Sequence, residues 1–374
     1  MTTIGFTGDV AFSRHTADAW KNENLIAPEI LRYLGDTDCT VANVEGAVCS
    51  APKTGTGTFN HASDPHAVEW LLKINAKVWN LANNHILDCG EEGLRQTMAL
   101  ARENGCRTLG AGLNADEAAA VVTVGNVGLV SLNYKDGYCT DGDKPGCIFF
   151  LNEEKIAGMI AAAKKTCRWC VVVVHAGAEF LCIPTAAQRK RYLRYLELGA
   201  DAVVAHHPHI VQNYEVVGKK VIFYSLGNFV FDTDYQRRQR YTDVGMLIRL
   251  HFTDDAITWD HMAVRIDRET ECIVPTGTPA IFCDVPPSLH EKLWPMAAWT
   301  FHKNHKVARI FGDPKRAEFD EAGWRAFEKQ SSKKTCYSVY PDVWEAEKLV
   351  AKQGLPDDEP LAKYLREGIS PYAE

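Results

Sequence analysis

Short apolar runs alternate with amphipathic stretches along most of this 374-residue chain, and that alternation restricts it to an α/β architecture with several buried strands. Residues 3–6, 39–42, 78–81, 121–124, 127–132, 170–174, 202–205 and 221–224 read as strands. Helical patterns lie between several of them. Residues 64–75 open on an Asp cap with Pro next, and place Val68, Leu71 and Leu72 on one face. Residues 91–104 stop at Gly105, and residues 185–198 stop at Gly199. The pattern changes after Phe229. Residues 244–252 and 257–266 read as two long strands around an Asp254–Asp255 turn, so the sheet becomes mixed there.

A second change comes at Pro286–Pro287. Trp294, Trp299, Trp324 and Trp344 follow in basic, helix-like stretches, with Cys336 among them. The expected organisation is therefore one α/β domain over residues 1–285 and a mostly helical segment over 286–374.

Charge and cysteine usage narrow the function classes. Lys+Arg is 41 against 48 for Asp+Glu, a net charge of −7, which gives no electrostatic case for nucleic acid. At 46% hydrophobic and 24% charged the chain is an ordinary globular one. No apolar run approaches the ~18 residues of a membrane span. The opening MTTIGFTGDV has neither the charged nor the apolar region of a signal peptide. Several of the 12 Cys sit in apolar runs (Cys39, Cys170, Cys182), as reduced thiols do, so the expected location is cytoplasmic. Cys167 and Cys170 form a lone CxxC, which without a second pair reads as packing at a strand start.

Polar side chains gather where the strands end. The first ends in Gly8–Asp9, the second in Asn43–Val44–Glu45 and the third in Asn83–Asn84–His85. The strand at 170–174 ends in His175, with Glu179 just beyond; the one at 202–205 ends in His206–His207–Pro208–His209. Each cluster alone has a bland reading. Gly-Asp is a common turn, Asn-Asn tolerates positive φ, and a lone strand-end His is more often a hydrogen-bonded core imidazole. Three imidazoles in four residues, stiffened by Pro208, have little structural purpose. Side chains at successive strand ends of an α/β sheet converge on one rim. Carboxylate, imidazole and amide oxygen together suit Mn, Fe or Zn at a hydrolytic site.

The blocks TGDVAFSR (7–14), ANVEGAV (42–48), LANNHILDCGEEGL (81–94), HAGAEF (175–180), AHHPHIVQNYEVVGKK (205–220) and YSLGNFVFD (224–232) carry a family resemblance. In this order they resemble the poly-γ-glutamate capsule biosynthesis proteins, CapA, a branch of the calcineurin-like metallophosphoesterases. The resemblance covers residues 3 to about 270. It implies a two-layer mixed β-sandwich flanked by helices, with one or two divalent ions (Mn, Fe or Zn) at one rim. Asp9 and His209 would hold the first ion, Asn84, His175 and His207 the second, and Glu45 would bridge them. His85 would be the proton-transfer imidazole, with Asp9 beside it in the chemistry. Arg14, Asn43, Glu179, His206 and Asn228 would be substrate-side or supporting groups. Two departures from the wider superfamily stand out. Ala11 occupies the place of the histidine in the usual Asp-x-His, and Glu45 that of the bridging Asp; CapA-like sequences tend to share both.

Three functions compete. The first is a metal-dependent hydrolase acting on a phosphoester or a poly-γ-glutamate-like amide, its partner an anionic small molecule or polymer. The second is a non-hydrolytic component that binds an anionic chain through basic stretches such as Arg189–Lys190–Arg191 and residues 237–240, which also read as solvated surface. The third is metal-independent acid/base chemistry on a peptide, such as epimerisation, using Asp9, His85 or His209. Asn84–His85 side by side favours catalysis, because a binder needs no general acid.

Overall fold

The computed structural model describes residues 1–54, 60–237, 239 and 241–293. The segment beyond 293, expected to be helical, lies outside the described residues, as do Arg238 and Arg240.

Two sheets build the α/β fold. The larger runs in the order Ile273–Pro275, Ile257–Ile266, Val244–Phe252, Thr2–Arg14, Cys39–Val44, Val78–Asn80, Arg107–Leu109, with Asn228–Asp232 also paired to Thr2–Arg14. The smaller runs Tyr214–Val217, Lys220–Phe223, Ala202–His206, Trp169–His175, Val127–Asn133, Val122–Val124. The strands that carry the polar clusters are parallel neighbours: Thr2–Arg14 with Cys39–Val44 and then Val78–Asn80, and Trp169–His175 with Ala202–His206. The hairpin at 244–266 adds antiparallel strands, so the larger sheet is mixed.

Side-chain alternation places the layers. Val171 and Val173 face a core that also takes Ile4, Phe6 and Val41 from the other sheet, so the sheets pack face to face. Cys170, Val172 and Val174 point the other way, onto Ile156 and Ile160 of the Glu153–Thr166 helix and Tyr192 and Tyr195 of the Ala186–Glu197 helix. On the outer face of the larger sheet, Ala42, Val44 and Trp79 meet Ile30 and Leu34 of Pro28–Gly35 and Leu94 of Gly90–Glu103. The strands are buried on both faces, which is why their sequences read as unbroken apolar runs. Ile281, Val285 and Leu293 also enter the core between the sheets.

The first strand departs from expectation. It does not end at Asp9 but runs on to Arg14, with register shifts between Phe6 and Asp9 and between Asp9 and Val10. Gly8–Asp9 is therefore an irregularity inside a strand, where pairing passes from Val244–Phe252 to the parallel Asn228–Asp232. The helix expected over 64–75 is a 3-10 turn, Pro65–Ala67, capped by the Asp64 carboxylate, followed by a short α-helix, Val68–Lys73. Cys167 and Cys170 are both buried at a strand start, and the cysteines of the described residues are all free.

Candidate metal centre

The loops after these strands meet at one rim. Asp9 is fully buried and held by two backbone-anchored partners. Its N–H donates to the Gly227 carbonyl at 2.9 Å, and its Oδ1 accepts Asn43 Nδ2 at 2.8 Å. Asn43 in turn accepts from Asn80 Nδ2 at 2.7 Å and donates to His175 Nδ1 at 3.3 Å. His175 Nε2 donates to Asn84 Oδ1 at 2.8 Å. Asn83 clamps the turn itself, its Oδ1 accepting the N–H of Gly46 and of His85. His209 Nδ1 donates to Asn228 Oδ1 at 3.0 Å, and Asn228 is fixed by Gln236 and the Thr242 carbonyl. His207 and His209 both adopt left-handed backbone (φ 95° and 57°), a strained conformation that the loop imposes to aim the two rings.

Glu45 stands at the centre. Its side chain is fully buried, and neither carboxylate oxygen has a hydrogen-bond partner among the described residues. Oε1 is ringed by three imidazole nitrogens: His85 Nε2 at 3.8 Å, His209 Nε2 at 3.8 Å and His175 Nε2 at 3.9 Å. These spacings are too long for hydrogen bonds. They lie inside the ~4.4 Å that separates two donors each ~2.2 Å from one ion. Asp9 Oδ2 is a further orphan. It lies 3.2 Å from His209 Nδ1, whose proton is directed at Asn228. Oxygen and nitrogen donors of Asp9, Glu45 and His209 fall within 4.8 Å of one another, and so do those of Glu179, His207 and His209. Leaving so many buried polar atoms unpaired costs free energy that a cation would recover, so the residues fit a divalent ion.

Electrostatics say the same. Burial pushes the Glu45 carboxyl well above its usual range, and the charges of Asp9 and Glu179 add to this against the pull of His209. Burial likewise holds His175 and His207 well below the ordinary imidazole value. His209 goes the other way, to about 10, because Glu45, Asp9 and Glu179 together outweigh its burial. The carboxylates and imidazoles of the cluster thus shift one another strongly.

The other expected residues sit as follows. His85 faces Glu45 through Nε2, while its Nδ1 meets Asp88 Oδ2 at 2.7 Å. His206 Nε2 donates to the Thr7 carbonyl at 2.9 Å, tying the smaller sheet to the larger one. Arg14 ends the first strand, exposed, with Nη2 3.4 Å from the Asn60 carbonyl. Glu179 Oε1 lies 3.8 Å from His207 Nε2.

Apart from Asp88, sequence reasoning missed the neighbours of His85 and His207. His61 is buried edge-on against the His85 ring, with its Nδ1 2.7 Å from Ser13 Oγ; burial, then the charges of His85 and His209, lowers it to about 2. Asp88 is shared among His85, the His61 N–H and Tyr138 Oη. Lys135 Nζ reaches the Asn84 carbonyl at 3.4 Å, and the Tyr134 ring lies 4.3 Å from that of His207. Only Asp88 had a local signal, its place three residues after His85. Among the described residues of the basic stretches, three arginines are held in ion pairs. Arg189 binds the buried Glu215 through two nitrogens, Arg191 meets Glu153, and Arg237 meets Asp232.

This chain matches the profile of the bacterial capsule synthesis protein family, PGA_cap, over residues 3–233. The chain belongs to that family. Within PGA_cap it is similar to the PGA biosynthesis protein CapA of Bacillus subtilis (strain 168), 30% identical over 250 residues, covering 63% of this chain and 65% of the relative. It is similar to the capsule biosynthesis protein CapA of Bacillus anthracis, 27% identical over 269 residues, 68% and 64% of the two chains. A probable polyglutamine synthesis accessory protein of Mycobacterium tuberculosis is 28% identical over 219 residues, 52% and 56%. The chain thus spans less than two thirds of the length of these relatives. A solved structure of a hypothetical protein from Thermus thermophilus overlays with a TM-score of 0.44 at 14% identity, covering 70% of this chain and 98% of that one; a likeness at that level fixes neither fold nor function. Among the described residues no helix is long and apolar enough to cross a membrane.

Proposed function

We propose that this PGA_cap member is a metal-dependent hydrolase on a calcineurin-like metallophosphoesterase fold, acting on a phosphoester or a glutamyl-type amide in capsule or polymer metabolism. Its catalytic domain is residues 1–285. One observation carries the reading: the buried, unpartnered Glu45 carboxylate with three imidazole nitrogens 3.8–3.9 Å from one of its oxygens.

Asp9, Glu45 and His209 would hold one ion, and Asn84, His175 and His207 a second, with Glu45 between. A bound divalent ion supplies a water of lowered pKa and a Lewis acid for a phosphoryl or acyl oxygen. The protein's own groups do the rest. Asn43 fixes the orientation of Asp9 and Asn228 that of His209, as outer partners of metal ligands do. Asp88 keeps the proton of His85 on Nδ1, so Nε2 faces the cleft and exchanges a proton with the reacting group. Arg14 and Lys135 supply positive charge for an anionic substrate. The names of the Bacillus relatives support capsule or poly-glutamate as the setting. The ion pairs that occupy Arg189, Arg191 and Arg237 weigh against the purely binding role those residues invited.

Elemental analysis tests the reading. Protein loaded with Mn, Fe or Zn and dialysed should retain metal, and the His175→Ala/His207→Ala double variant should lose the tighter-held ion. Unchanged metal in the double variant, or none in the wild type, overturns it. Parallel assays with bis(p-nitrophenyl) phosphate and γ-glutamyl p-nitroanilide then choose the bond.

A further inference from the structure

We infer that Glu179 is a direct metal ligand beside His207 and His209. This rests on the metal-dependent reading above and adds to it a residue that the family resemblance placed among the substrate-side or supporting groups.

Two features point to Glu179. The first is placement. Its Oε1 is 3.8 Å from His207 Nε2, and one donor atom each from Glu179, His207 and His209 fits within 4.8 Å. That separation is beyond hydrogen bonding and within reach of a shared ion.

The second is the loop that carries it. Glu179 lies between the Trp169–His175 strand and the Ala186–Glu197 helix, and that stretch is bolted onto the His207–His209 turn. Phe180 N–H donates to the Pro208 carbonyl at 2.8 Å, from a left-handed backbone (φ 61°). Gln212 Nε2 donates to the Leu181 carbonyl at 2.6 Å, and Tyr192 Oη to the Ala176 carbonyl at 2.9 Å. Gly177 has φ 140°, and a Cβ there would sit 2.7 Å from Gln188 Nε2 and 3.0 Å from Pro208 Cγ, so the loop approaches as closely as a chain can. A segment fastened this tightly to the two histidines delivers a carboxylate to a fixed point, which a surface glutamate does not need.

Among the described residues Glu179 is the remaining carboxylate facing these imidazoles, and its side chain is 40% exposed, whereas those of Asp9 and Glu45 are fully buried.

Calorimetric titration of chelator-treated protein with Mn²⁺ decides the matter, with no assay of turnover. Glu179→Gln keeps the size and exposure of the side chain and removes its charge; matched melting curves confirm an intact fold. The expected result is at least a tenfold loss of affinity for one ion, with any second ion unchanged, and partial recovery in Glu179→Asp. Glu179→Gln that binds every ion within twofold of wild type overturns the assignment and leaves Glu179 a substrate-side group. Wild type that takes up no Mn²⁺, Zn²⁺ or Fe²⁺ overturns the metal reading itself, a distinct failure.

Discussion

Asp88 Oδ2 accepts from His85 Nδ1 at 2.7 Å, and the same oxygen accepts the backbone N–H of His61 at 2.7 Å. Its other oxygen accepts Tyr138 Oη at 2.8 Å. One carboxylate therefore both fixes the turn and sets which nitrogen of His85 meets the cleft. The two roles separate by substitution. His85→Ala should leave metal content intact and lower turnover by about 10²-fold or more, the usual weight of a general acid–base group. His85→Gln can keep the contact with Asp88 but cannot exchange the proton. It should melt near wild type and be as slow as His85→Ala. Full activity in His85→Gln would remove this imidazole from the chemistry.

Glu45 trades stability for function. A buried carboxylate without a hydrogen-bond partner is costly, and the His209 charge is its main offset. In chelator, Glu45→Gln should melt at or above wild type, because the amide is cheaper to bury uncharged. Adding Mn²⁺ should then raise the wild-type melting temperature by several degrees, since a ligand at 100 times its Kd stabilises by about 2.7 kcal/mol. The variant should not respond. Equal upward shifts in both proteins would show that Glu45 is not a ligand.

Much of this was legible because the central strands are buried on both faces. Val171–Val174 and Val203–Ala205 can only be apolar, so a His directly after them is conspicuous. The Thr2–Arg14 strand was harder. Its second half pairs with Asn228–Asp232, more than 200 residues away, and nothing local to Asp9 signals that partner. His61 and Tyr138 were invisible for a like reason. His61 sits outside the regular elements and Tyr138 ends a short 3-10 turn, and what brings them to His85 is Asp88, a tertiary contact without sequence period. Glu179 was visible just beyond His175, but what turns its loop toward His207 is the Phe180–Pro208 backbone bond.

Gly8 shows the same tertiary control. A Cβ there would lie 2.3 Å from the Gly227 carbonyl oxygen and 3.0 Å from the Asn228 carbonyl carbon. Both are backbone atoms, in the segment that receives the Asp9 N–H, so nothing flexible can yield. Gly8→Ala should destabilise the protein by more than about 2 kcal/mol in urea unfolding, at the upper end of overpacking costs. It should weaken ion binding too, because Asp9 moves with the displaced strand. A midpoint within error of wild type would mean that the two strands separate freely at this point.

Far from the cleft, Asp260 provides a pH-dependent brace between the hairpin and the Pro28–Gly35 helix. It accepts Arg249 Nε at 2.9 Å and Nη2 at 3.1 Å, Tyr33 Oη at 2.7 Å and His251 Nε2 at 2.7 Å. Burial works against its charge, but the bonds from Arg249, Tyr33 and His251 prevail and hold the carboxyl at about 2. The sign follows from linkage. An unfolded Asp titrates near about 3.9, above the folded value, so the unfolded chain takes up the proton first. The stabilisation is complete at neutral pH and is lost as pH falls from about 4 to about 2. Asp260→Asn should thus lower the urea midpoint at pH 7, where its amide faces the Arg249 guanidinium without a charge. The gap to wild type should narrow steadily below pH 4, once the wild-type carboxyl is itself protonated. A gap that stays constant from pH 7 to pH 2.5 would assign the loss to packing and leave the ionised carboxylate without a role.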